Sequence, residues 1–126
     1  MSTVHTLGRR FAHALADKDV AQLQQLLASD LDFRGLTPMR FWESHDQGEV
    51  IEIMLGTWFA PEENIDAILE LTENDPVEDT AHVAYRFALT TPDGRHTAEQ
   101  QAYYRTQGEQ ISYLRVLCSG FRPVAD

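Results

Sequence analysis

The stretch AEQQAYYRTQGEQISYLRVLCSG, residues 98–120, decides how the rest of this chain must be arranged. It reads as two period-two strands joined by a short turn at Gln107-Gly108-Glu109-Gln110. Antiparallel pairing about that turn makes opposed residue numbers sum to about 217, which sets Tyr103 against Leu114, Gln101 against Val116 and Glu99 against Cys118. One face of the pair then mixes Leu114, Val116 and Cys118 with a carboxylate and an amide. Turned towards a core, such polar groups either find partners or line a cavity, so the hairpin predicts a pocket wall.

Working outward, Thr91-Pro92-Asp93-Gly94-Arg95 is a hairpin signal, with proline presetting one torsion and glycine accepting a positive one. Pairing across it with a sum near 186 puts Phe87 opposite Glu99 and Tyr85 opposite Gln101. Both registers place the odd residues of these strands and the even residues of the last strand on one apolar face. A slip of one residue would bury Arg86, Gln100 and Arg115 instead. The opposite face carries His82, Ala84, Arg86, Ala88, Ala98, Gln100, Ala102, Tyr104, Tyr113, Arg115 and Leu117. Its composition suits either solvent or another protein surface.

Further upstream, Ile65, Ala67, Leu69 and Leu71 alternate with Asp66, Ile68, Glu70 and Thr72 until Asn74-Asp75-Pro76 breaks the strand. Three helices precede it. Ser2 or Thr3 can cap the first, with Val4, Leu7, Phe11, Ala14 and Leu15 on one face, ending near Asp17. Asp19 caps the second, with Val20, Leu23, Leu26 and Leu27. Leu31, Phe33 and Gly35 form a strand that Thr37-Pro38 stops, and Met39 to Glu43 form a return strand or a wall. Ser44 or Asp46 caps the third helix, with Gln47 or Glu49 completing a capping box and Val50, Ile51, Met54, Leu55, Trp58 and Phe59 as its stripe. Helices followed by an antiparallel meander imply an α+β fold, with helices gathered on one side of a sheet.

The chain has 126 residues, 43% of them hydrophobic, which fits a single domain over 1–126 with one core. Ten Lys and Arg against twenty Asp and Glu give a net charge of -10, which disfavours nucleic acid and anionic membranes. The lone Cys118 excludes an internal disulfide, and no signal segment or membrane-length apolar run is visible, so a reduced, cytoplasmic setting is expected.

The Ala16-Asp17-Lys18-Asp19 link between the first two helices, Asp30-Leu31-Asp32-Phe33 at the start of the first strand, and the last hairpin ending Leu114-Arg115-Val116-Leu117-Cys118-Ser119-Gly120-Phe121 resemble the nuclear transport factor 2-like superfamily, most closely its SnoaL-like and ketosteroid-isomerase-like proteins. The resemblance covers nearly the whole chain. It implies a cone-shaped α+β barrel, three helices on a curved, mainly antiparallel sheet, with a deep apolar pocket. Ketosteroid isomerases use an Asp base and an oxyanion hole of Tyr and protonated Asp. Along the resemblance those positions fall on Gly35, Phe11 and Gln101, so that activity does not carry over.

Glu99 is then the candidate proton carrier, since an apolar setting beside Phe87 and Cys118 would raise its pKa; pairing with Arg34 or Arg40 is the structural alternative. Gln101 with Tyr85 and Tyr103 would orient a substrate oxygen, unless they only satisfy one another. Trp42 and Trp58 are candidate walls, with Phe33, Val116 and Cys118 as further lining. His45 would shuttle protons or cap a turn. Cys118 reads as a small buried hydrophobe rather than a nucleophile. The histidines lack metal-ligand spacing and no glycine-rich phosphate cradle is present, so neither metal nor nucleotide cofactor is expected. The resulting expectation is a pocket protein for a small apolar or polyketide-like ligand: an isomerase, cyclase or hydrolase working by acid/base chemistry, or else a non-catalytic binding or dimerisation module. A homodimer through the outer face, with Arg86, Tyr104, Tyr113 and Arg115, is the expected partner arrangement.

Overall fold

The computed structural model describes residues 3–124, with side chains of the first helix described from Leu7 onward; Ser2 and the side chains of Val4 and His5 lie outside the described residues. Helix α1 (Thr3–Ala16) buries Leu7, Phe11, Ala14 and Leu15, the spacing expected of one apolar face. Asp19 caps α2 (Val20–Leu26) by accepting from the Gln22 amide at 3.0 Å. Lys18, at φ 52 in the link, donates from Nζ to the Ala60 carbonyl at 2.7 Å and to that of Glu63. It ties this turn to a segment more than forty residues away.

Asp46 caps α3 (Gln47–Glu52), and the next turn, Ile53–Trp58, widens to a π-helix. Phe59 closes it by donating to the Met54 carbonyl at 2.9 Å. The extra residue in that turn lets Met54, Trp58 and Phe59 all face inward. Gln47 does not complete a capping box; its amide donates to the carbonyls of Gln24 and Leu27, joining α3 to α2.

The strands are β1 (Leu27–Thr37), β2 (Arg40–Ser44), β3 (Asn64–Val77), β4 (Thr80–Thr91), β5 (Gly94–Gln107), β6 (Gln110–Cys118) and β7 (Arg122–Pro123). They form one open sheet in the order β2-β1-β6-β5-β4-β3, with β7 added to β5; β1 and β6 run parallel and every other pair antiparallel. The helices cover one face, and the core lies between. The expected α+β cone is therefore the observed architecture.

The orientation of β5 is corrected. Its turn with β6 begins as expected, Gln107 opposite Gln110 and Thr106 opposite Ile111, but Arg105 then meets Tyr113. Ser112 is the extra residue of a β-bulge, and beyond it every β5 residue has the partner one step further along. At the other end, a two-residue turn closes on Thr91 and Gly94, which sets Phe87 opposite Ala98 and Tyr85 opposite Gln100. Ala98, Gln100, Ala102 and Tyr104 therefore point inward, each at most 1% exposed, whereas Glu99, Gln101 and Tyr103 lie on the outer face. The neighbours keep their expected faces: Val83, Tyr85, Phe87, Leu114 and Val116 are buried, and Arg86 and Arg115 stay outside. In β3, register shifts between Ile65 and Ala67 and between Ile68 and Glu70 turn Ile65, Ile68 and Leu71 to the core. Leu69, expected on the apolar face, is exposed, and Asn74-Asp75-Pro76, expected to break the strand, lies within it at an irregularity of the register, the turn falling at Glu78-Asp79.

Candidate functional site

One end of the cone is closed by aromatic rings. Trp42 on β2 and Trp58 at the end of the π-turn stand at 81° with centroids 6.2 Å apart. Trp58 lies over Gly35, where a Cβ would come within 2.7 Å of the indole, so only glycine admits this approach. After β6, Gly120 turns the chain at φ 77 against Pro38 and brings Phe121 onto Phe59, stacked at 6.0 Å. These elements leave a cleft of about 290 Å³ whose wall includes Trp42, Trp58, Phe59, Phe121, Cys118 and Glu63.

The polar atoms at this wall differ in how they are satisfied. The Trp42 indole donates to Thr37 Oγ1 at 2.9 Å. The Trp58 Nε1 is buried and has no partner. Glu63 Oε1 accepts from the Ala60 amide at 3.2 Å. Deeper in the core, Gln100 sits across the β5–β6 pair from Cys118, and its Oε1 accepts from the Tyr85 hydroxyl at 2.6 Å, while its Nε2 is buried without a partner. Burial pushes the Tyr85 phenol well above its ordinary value, and Cys118 nearby adds to the shift. Tyr85 is therefore a fixed donor at neutral pH. Tyr104, hydrogen-bonded to the backbone at Gly8, is pushed up to about 12, first by burial and then by Glu73.

The outer face carries a separate polar system. The Asn74 amide contacts His82 Nδ1 at 2.6 Å, His82 Nε2 meets Gln101 Oε1 at 2.7 Å, and Gln101 Nε2 donates to Glu99 Oε2 at 3.1 Å. A neutral His82 protonated on Nε2 satisfies all three contacts in one direction. Tyr103 stacks on the His82 ring at 4.7 Å. Glu99 lines a groove of about 380 Å³ with Arg86, Gln101, Leu117, Ser119 and Arg122. Arg86 pairs with Glu70, Arg34 with Glu43 at 3.0 Å, and Arg115 with Asp32 at 3.2 Å. The hydrogen bond from Arg115 holds the Asp32 carboxyl below its ordinary range.

Of the residues singled out in the sequence, Trp42, Trp58 and Cys118 meet in the cleft, with Phe33 tilted against Trp58 at 5.8 Å. Val116 and Tyr85 are buried in the core. His45 is exposed just before the α3 cap. Glu99, Gln101 and Tyr103 lie across the sheet, away from the core. Phe59, Phe121 and Glu63 join the site without having been singled out for it, and Gln100 lies in the core opposite the cleft residue Cys118. Phe59 was visible only as part of a helix stripe, and Phe121 only as the residue after a turn glycine. Among the described residues, no group of three or more His, Cys, Asp or Glu is placed to hold a metal ion, and no helix is long and apolar enough to cross a membrane.

Three helices over an open mixed sheet of this order form a cone-shaped α+β fold of the nuclear transport factor 2-like kind. No protein-family profile matches the chain, and no curated protein is similar to it. Solved structures do share the fold. A provisionally assigned isomerase from Bacillus subtilis superposes with a TM-score of 0.73 at 9% identity, over 94% of this chain and 90% of that one. A provisionally assigned polyketide cyclase from Pseudomonas putida gives 0.70 at 10% identity, over 92% and 90%. An epoxide hydrolase of the LEH-like kind from M. tuberculosis gives 0.68 at 12% identity, over 93% and 83%. The resemblance read from the sequence thus holds at the level of the fold.

Proposed function

We propose that this protein binds a small apolar ligand in the aromatic cleft at one end of the cone, as a pocket protein rather than as an acid/base enzyme acting through Glu99. The observation that carries this is the meeting of Trp42, Trp58, Phe59 and Phe121 around about 290 Å³ of space, on the side of the sheet opposite Glu99. Aromatic walls with a few polar groups are the usual composition of such sites. Chemical-shift mapping with isopropylbenzene tests it. Shifts should gather at Trp42, Trp58, Phe59 and Cys118 and disappear in Cys118→Phe, which fills the cleft. Shifts confined to the outer groove reject the reading.

A catalytic form of the same reading draws on the hydrolase and the provisionally assigned cyclase and isomerase that share the fold. It requires a proton carrier in the cleft, and Glu63 is the carboxylate that lines it. Glu63→Gln should then abolish turnover while leaving ligand binding within about twofold.

The outer face favours a second copy of the chain as partner. Phe41, Leu36 and Leu117, 58%, 50% and 47% exposed, are cross-strand neighbours in one row that leads into the outer groove. Beside them Arg86 and Arg115 have their charges matched, so two acidic chains meet there with little repulsion. Tyr113, between the Arg105 and Arg115 guanidiniums, belongs to this face. Tyr104 does not, because it is buried in the core. Sedimentation equilibrium should show a dimer that Leu117→Lys dissociates.

A further inference from the structure

We infer that the ligand of the cleft is an organic cation, an amine or quaternary ammonium group on an apolar body, and that the Glu63 carboxylate is the group that selects it. This rests on the cleft reading above and adds the chemical class. Glu63 Oε1 accepts from the Ala60 amide, which holds the side chain at the wall. Its second oxygen has no partner among the described residues and is not shut away from solvent. A carboxylate oxygen can only accept, so what completes it is a donor or a positive charge.

The rest of the wall favours the charge. Trp42 and Phe121 are half-buried rings of the wall, backed by Trp58 and Phe59, and aromatic rings attract a cation through their electron-rich faces. Trp42 already holds one cation in this way, since the Arg40 guanidinium lies over its ring at 3.6 Å. Arg40 shares a separate groove with Trp42 and does not line the cleft, so this contact uses the side of the ring turned away from it. Among the described residues, no Lys, Arg or His lines the cleft to neutralise Glu63. Lys18 is engaged by the carbonyls of Ala60 and Glu63, and Arg122, which follows Phe121, lines the outer groove. The wall therefore carries one uncompensated negative charge in an apolar setting, within a chain of net charge -10. An anion there is repelled and a neutral ligand leaves the charge as it is, whereas a cation compensates it.

The test compares phenyltrimethylammonium with tert-butylbenzene, which has the same shape but carries carbon in place of the charged nitrogen, using 1H-15N spectra of the whole chain. Both should perturb Trp42, Trp58 and Cys118. The cation should bind at least as tightly as the hydrocarbon, although an apolar cleft without a compensating charge would favour the hydrocarbon by more than about tenfold. In Glu63→Gln the cation should lose about tenfold in affinity, and tert-butylbenzene, like a neutral substrate, less than about twofold. On the unsubstituted protein the 13C signal of the Glu63 side-chain carboxyl should move with the cation and stay in place with the hydrocarbon, so the result does not depend on the variant folding. Binding of the hydrocarbon alone, a cation affinity unchanged by the substitution, or a Glu63 signal that responds equally to both ligands overturns the inference and leaves the cleft reading intact. Perturbation by neither ligand overturns the cleft reading and the inference with it.

Discussion

Gln100 and Gln101 are adjacent in sequence, identical in chemistry, and opposite in circumstance. Gln101, on the outer face, has both ends of its amide engaged, one by His82 and the other by Glu99. Gln100, on the inner face, has one end held by Tyr85 and the other buried without a partner. The outer face carries a chain of engaged polar side chains, with Arg86 Nε buried and unpartnered beside it, and the inner face is an apolar core in which Trp58 Nε1 and Gln100 Nε2 are unpartnered.

The comparison turns on which face of β5 each glutamine occupies, so charging that strand should have the largest effect. Gln100→Glu and Gln101→Glu test the two faces directly. The inner substitution should cost several kcal/mol at pH 8 by burying an unpaired charge, and the outer one about 1 kcal/mol or less. Burial raises the folded-state pKa of the inner carboxyl above its unfolded value. The protein should therefore be most stable below about pH 4.3, the ordinary glutamate value, and weaken as pH rises towards the raised value.

Tyr85→Phe sharpens the inner side further by leaving the Gln100 oxygen unpartnered, at a cost of about 1–3 kcal/mol in urea unfolding. The smallest effect belongs to the outer face. Arg115→Met should return the Asp32 carboxyl to its ordinary range in an NMR titration and change stability by less than about 1 kcal/mol, because the pair is partly exposed. The folded-state pKa of Asp32 is depressed. The contribution of this pair is therefore present above the unfolded carboxyl value and is lost as pH falls through the lower folded one.

Two hairpin registers read from the sequence agreed with each other and were both one residue off. They share β5, so their agreement tested only whether that strand had been given one parity twice. Neither neighbouring strand moved, which is why Arg86 and Arg115 stayed outside although Gln100 went in. In β5 both parities are plausible. Ala98, Ala102 and Tyr104 accept burial as readily as a set containing Tyr103, and glutamine stands on both sides.

The sequence by itself determined the order of the three helices and of the four long closing strands, the cap at Asp19, the turns at Pro92-Asp93 and Gly108-Glu109, and the inward faces of α1, β4 and β6. Each rests on a periodicity or a backbone preference that acts within a few residues. Only the tertiary structure decided the face of β5, the reach of Lys18 to Ala60, the approach of Trp58 to Gly35 and the placing of Phe121 on Phe59. These depend on a bulge, a side chain bridging distant segments, and close approaches permitted by glycine, all set by packing between parts of the chain that no local pattern connects.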